Sequence, residues 1–178
     1  DIPGDFKLHP SSKDDFFFLR KSTVDLTNSI FIYAVPYTDS SMVDFSYPTE
    51  VRNHLGRRYE SSTIEGSYME IDTVYSDVGQ REVDFNGHYA IEYRGLWSLV
   101  NDFMGGAFIN YWIYDEKNNR MIMLDGYFYA PDHMYKRRLI REFQAIFSTF
   151  QLIENQEKQT ALKRQLKCAF FPKPKQLS

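Results

Sequence analysis

The chain has 178 residues, of which 43% are hydrophobic and 25% charged, with a net charge of −3. That balance suits one globular domain and excludes a disordered or low-complexity chain. No apolar run approaches the ~18 residues of a membrane-spanning helix, and the single cysteine, Cys168, rules out an intramolecular disulfide and argues against a cysteine-based metal site.

The elements read as follows in chain order. The run Phe16, Phe17, Phe18 and Leu19 is short, apolar and bounded by charged pairs, which predicts a strand. A second strand covers residues 30–35, β-branched and closed by Pro36. Residues 38–46 are polar and loop-like. Pro48 in a first turn, followed by Val51, Leu55 and Tyr59, predicts a short helix over residues 48–58, which Gly56 weakens. Residues 60–67 are rich in Ser, Thr and Gly and are expected to form a mobile loop. From Tyr68 the period becomes two, predicting strands over residues 68–75 and 89–100, with a turn region and a short strand at residues 82–85 between them. Residues 107–114 are apolar on both faces, as in a strand covered on both sides, and pair with residues 121–130 across the polar turn 115–119.

Pro131 and Asp132 open a long predicted helix. Leu139, Phe143, Ile146, Phe150 and Ile153 fall on one stripe, widened by Ile140 and Phe147, so this helix must dock on the sheet. A terminal helix over about residues 156–170 is stopped by Pro172 and Pro174. The division is thus an α+β domain over residues 1–153, then a terminal helix and Pro/Lys tail over 154–178. Strands, helix, strands and helices in that order define an antiparallel sheet packed by helices. The aromatic content, 15 Phe, 13 Tyr and 2 Trp, supplies bulky residues for its core, with some Tyr and Trp left to line a ligand groove.

Charge is unevenly spread. Residues 134–178 carry ten Lys/Arg against three Glu, a net +7, and the remainder carries −10. A solvated helix face accounts for this more simply than a nucleic-acid surface, because no nucleic-acid module accompanies it. Lys136, Arg137, Arg138 and Arg141 oppose the macrodipole at the start of their helix, and nearby acidic residues of the same chain are expected to offset them.

Catalytic signatures are sparse. Gly105-Gly106 precedes a strand, so it offers no helix terminus to a phosphate and reads as a tight turn or bulge. The four histidines have no ligand spacing, no nucleophile elbow is present, and no metal or cofactor is expected. Glu92 and Asp125 lie inside predicted strands, where a buried carboxylate needs a partner, and Arg94 shares the face of Glu92. The plain reading is a cross-strand ion pair. The functional one is a polar cluster of Glu92, Arg94 and Asp125 in a groove formed with Trp97, Tyr111 and Tyr127, with the two carboxylates available for acid/base chemistry.

Several phrases carry a family resemblance: Ile2-Pro3-Gly4-Asp5-Phe6, Ile30-Phe31-Ile32-Tyr33, Gly66-Ser67-Tyr68-Met69, Tyr93-Arg94-Gly95-Leu96-Trp97, Met104-Gly105-Gly106-Ala107-Phe108 and Gly126-Tyr127-Phe128-Tyr129-Ala130-Pro131. In this order they resemble the Bacteroidetes proteins that share the domain of unknown function 4837, over about residues 2–150. Phe108 follows Ala107 where that family more often carries Pro. The resemblance implies exported lipoproteins about twice this length, this chain being the carboxyl-terminal half, a periplasmic or lipid-anchored location in the cell envelope, and a tether through an amino-terminal region outside the chain. It implies no catalytic residues. The element order is similar to the Mog1/PsbP-like α/β/α sandwich. The expectation is therefore a non-enzymatic envelope domain that binds an envelope protein or glycan through an aromatic-rich surface. The alternative is a glycan- or peptidoglycan-directed hydrolase using the strand carboxylates.

Overall fold

In the computed structural model, residues 2–13, 15–132 and 134–152 are described and form eight strands and two α-helices. In chain order these are β1 (Lys7–Leu8), β2 (Phe16–Ser22), β3 (Thr27–Pro36), α1 (Ser46–Tyr59), β4 (Tyr68–Asp72), β5 (Gly79–Phe85), β6 (His88–Val100), β7 (Gly105–Asp115), β8 (Arg120–Tyr129) and α2 (Lys136–Ser148). All pairings are antiparallel, in the order β1-β2-β3-β8-β7-β6-β4. The long β6 carries two partners on its outer side. Residues 88–94 pair with β5 and residues 96–100 with β4.

Strand alternation sends side chains to two separate cores. One face carries Phe18, Phe31, Trp112, Met123 and Tyr127 and is covered by α1 through Leu55, together with Met42 of the short turn Ser40–Val43. Trp112 Nε1 donates to the Met42 carbonyl at 2.7 Å and ties that turn down. The other face carries Ile30, Ile109, Leu124 and Phe128 and is covered by Leu139, Phe143, Ile146 and Phe147 of α2. Burying those four helix side chains contributes on the order of 8 kcal/mol before entropy. The result is an α+β domain in three layers, helix on sheet on helix.

Boundaries differ from the sequence reading for local reasons. The helix α2 starts at Lys136, five residues after Pro131, and ends at Ser148. Hydroxyls terminate it, for Ser148 Oγ donates to the Ala145 carbonyl and Thr149 Oγ1 to that of Ile146, both at 2.8 Å. Phe150 is therefore outside the helix, and Ile153 and the predicted terminal helix lie outside the described residues. β4 stops at Asp72 because its carboxylate accepts from the backbone N–H of Val74 and Tyr75. Gly56 weakens α1 as an isolated helix but lets it reach the sheet: a Cβ there would lie 2.5 Å from the Met69 carbonyl oxygen of β4.

The register gathers four connections at one end of the sheet. They are the turn 23–26, residues 60–67 after α1, the turn 101–104, and residues 130–135 leading into α2. At the opposite end Asn86 Nδ2 donates to the carbonyls of Ser148 and Phe150, fastening the β5–β6 hairpin to the end of α2.

Candidate functional site

The predicted site residues divide between the two faces. Glu92, Arg94 and Tyr111 lie on the α2 side; Trp97, Asp125 and Tyr127 lie on the α1 side. The acid/base pair of Glu92 and Asp125 is thereby corrected, since a sheet thickness separates carboxylates that would have to converge on one bond. The three rings are core residues with relative exposures of 3% for Trp97, 7% for Tyr111 and 2% for Tyr127, so they form no open aromatic surface.

Glu92 is held by neighbours on its own face. Arg81, directly opposite on β5, donates to both carboxylate oxygens at 2.8 and 3.1 Å, Arg94 Nε donates at 2.7 Å, and Tyr111 Oη donates at 2.7 Å. Burial raises the carboxyl pKa, but the hydrogen bonds from Arg81, Arg94 and Tyr111 outweigh it and hold the group at about 2, against an ordinary 4.5. So acidic a group is a poor proton donor and a weak base near neutrality. Its folded pKa is depressed, so its stabilisation is complete above the unfolded value and is lost as pH falls from about 4.5 to about 2. Glu92→Gln is expected to lower the melting temperature by a constant amount between pH 6 and 8, the gap from wild type closing below about pH 4.5. A gap independent of pH would show that the carboxylate charge contributes nothing.

On the α1 face, Asp125 and Arg52 are both buried. Arg52 Nε donates to Asp125 Oδ1 at 2.9 Å, and Asn110 Nδ2 donates to the same oxygen at 3.0 Å. The guanidinium lies 3.9 Å from the Phe108 ring centroid. Asp125 Oδ2, Asn110 Oδ1 and both Arg52 Nη atoms have no hydrogen-bond partner. Burial outweighs Arg52 and raises the Asp125 pKa. The group is sealed from solvent.

Toward the end of the sheet that gathers the four connections, the same face opens into a cavity of about 470 Å³. Trp97 and Tyr127 form its floor, meeting edge-on at 5.8 Å between centroids. Trp97 Nε1 reaches across β7 to the Phe128 carbonyl at 3.2 Å. The opposing wall comes from residues 60–63, which follow α1, and Tyr129, Asp102 and Met104 belong to the lining. At the centre Glu60 pairs with Arg20 of β2 and accepts from Tyr127 Oη at 2.9 Å. Burial lifts the Glu60 carboxyl above its usual range despite Arg20 and the phenol hydrogen bond. Burial, and then the Glu60 charge, push the Tyr127 phenol well above its ordinary value.

Five hydroxyl residues, Thr27, Ser29, Ser61, Ser62 and Thr63, also line the cavity, Ser29 being buried with its Oγ accepting from Arg20 Nε at 3.2 Å. The segment bearing three of them is tied by its own bonds: Ser62 N and Oγ both meet Ser67 Oγ, at 2.8 and 2.9 Å, and Met69 N donates to the Glu60 carbonyl. Of the residues that line this cavity, the sequence reading names Trp97 and Tyr127 and not Arg20, Glu60 or the hydroxyl residues. Their one sequence signal is an acidic residue followed by three hydroxyl residues directly after a helix. Among the described residues no cluster of metal-ligating side chains occurs, and no helix is long and apolar enough to cross a membrane.

Fold and cavity together define a three-layer α+β domain with a polar pocket between the segment that follows α1 and one end of its sheet. The chain belongs to the family of the domain of unknown function DUF4837, which it matches over residues 1–149. No curated protein matches it significantly. A crystal structure of a protein of unknown function from Pseudomonas aeruginosa, PA94, is similar over 85% of this chain and 100% of its own, at 11% identity and a TM-score of 0.43.

Proposed function

We propose that this chain is a non-enzymatic binding domain of the bacterial cell envelope that holds a neutral sugar unit of a glycan in the cavity around Glu60. The observation that carries the reading is the lining itself. Thr27, Ser61, Ser62 and Thr63 bring hydroxyls to a lining in which Arg20 neutralises Glu60, Asp102 adds one negative charge and Tyr129 presents a partly exposed ring, so hydrogen-bonding groups outnumber the net charge. Such a lining matches a polyhydroxylated ligand better than an anion or a purely apolar one. Binding here uses a pocket floored by buried rings, not a surface of exposed ones. The envelope location rests on the family resemblance, and hydrolysis by Glu92 and Asp125 has no geometry to support it.

Titration of the labelled chain with a neutral N-acetylglucosamine oligosaccharide, followed by NMR, tests the reading. Amide shifts are expected at Ser61, Ser62 and Thr63. Glu60→Gln and Tyr129→Ala are each expected to weaken binding about tenfold, the loss of one or two hydrogen bonds or of a ring contact. If the cavity resonances stay still at millimolar sugar, the proposal fails.

A further inference from the structure

The end of the sheet where the cavity opens has a second property. Loop tips from three separate connections present apolar side chains to solvent: Val24 and Phe103 are fully exposed, and Met134 and Tyr135 are exposed beside the start of α2. Lys136, Arg137, Arg138 and Arg141 follow immediately, and none of the four forms an ion pair with a described residue. With Met134 and Tyr135 they bound an open depression of about 640 Å³. Among the described residues, the acidic ones expected to offset these cations are thus not paired with them.

We infer that this end docks on an anionic lipid surface, with the apolar tips entering the interface and the α2 cations meeting lipid phosphates. Exposed apolar side chains next to unpaired cations are the combination that interfacial binding requires. Positive charge at a helix start opposes the macrodipole, and a negative surface removes that conflict. The chain's own residues 153–178 are the wrong occupant by charge, since they carry six Lys/Arg against two Glu. A second copy meeting the same face would set like charges against each other. A bilayer also accommodates tips spread along the sheet end, whereas a protein would need a complementary socket for each. Asp25, Glu65, Asp102 and Asp132 lie on the same connections, so the attraction is local to α2 and sensitive to salt. Docked this way, the cavity would open toward the lipid headgroups.

Flotation of the full 178-residue chain with vesicles tests this. It is expected to float with vesicles of phosphatidylglycerol and phosphatidylethanolamine, to stay behind with phosphatidylcholine alone, and to be released by salt. Phe103→Ser with Met134→Ser, and separately Arg137→Glu with Arg138→Glu, are each expected to lower partitioning about tenfold or more. Thermal melts should be unchanged; if either pair lowers the melt, Val24→Ser, on an independent turn, carries the apolar arm and must weaken flotation. No flotation at low salt overturns the inference. So does flotation that neither pair alters, or capture by polyglutamate as strong as by vesicles and indifferent to the Phe103/Met134 pair, which would mark an acidic protein partner. Sugar binding in solution by the Phe103/Met134 variant should stay intact, so failure here is distinct from failure of the sugar pocket.

Discussion

Replacing Arg52 by Ala is expected to destabilise the domain by about 3–5 kcal/mol, the cost of stranding a buried charge. Arg52 is 1% exposed and Asp125 is fully buried, so water cannot take over the lost pairing without opening the core. The substitution also removes the guanidinium from the Phe108 ring, leaving a gap between α1 and the sheet. Asp125, whose pKa burial already raises, would lose the cation that opposes that rise. The double variant Arg52→Met with Asp125→Leu is expected to recover most of the loss, because an apolar pair of similar volume avoids both desolvation penalties. Urea unfolding of the two variants measures this. A loss below about 1 kcal/mol for Arg52→Ala would mean that the pair is hydrated in solution.

A methyl group at Gly106 is expected to be nearly as damaging, at about 3 kcal/mol or more. Its Cβ would lie 1.9 Å from the Phe128 carbonyl oxygen and 3.0 Å from Trp97 Nε1. The first contact is with backbone, so no side-chain rotation relieves it. The β7 backbone at residue 106 must therefore move away from Phe128, and the indole that donates to that carbonyl loses its hold with it, which breaks the cavity floor. Gly106→Ala should therefore lower the urea midpoint, shift tryptophan emission to the red and abolish sugar binding together. Unchanged emission would show that the indole is not held by Phe128.

The sheet was legible because its signal is local. Tyr89, Ile91 and Tyr93 alternate with Ala90, Glu92 and Arg94, and the turn 115–119 joins two dense strands whose ladder pairs Phe108 with Tyr127 and Tyr114 with Met121. Leu139, Phe143 and Ile146 are buried as their stripe required. The Asn86-Gly87 pair is a further local signal: both residues have positive φ, 54° and 85°, and close the two-residue β5–β6 hairpin. Facing was harder to read. Glu92 stands opposite Tyr111 and Tyr111 opposite Leu124, so Asp125 points the other way, but a slip of one residue would have reversed that relation. The pocket lay further out of reach. Arg20, Glu60 and Tyr127 are brought together by three different elements, and their separations of 40 and 67 residues carry no periodic signal.

The shared outer side of β6 has a consequence for how the molecule behaves among its own kind. Because β4 and β5 each occupy only part of it, with residues 73–78 looping out between them, that border is two short offset segments in place of one long straight one. A neighbouring chain seeking to extend the sheet finds at most seven residues in line on β5, four of them the charged Arg81, Glu82 and Asp84 and the polar Gln80. Broken, charged borders of this kind resist recruitment into larger β-assemblies, which suits a chain so rich in aromatic strand residues.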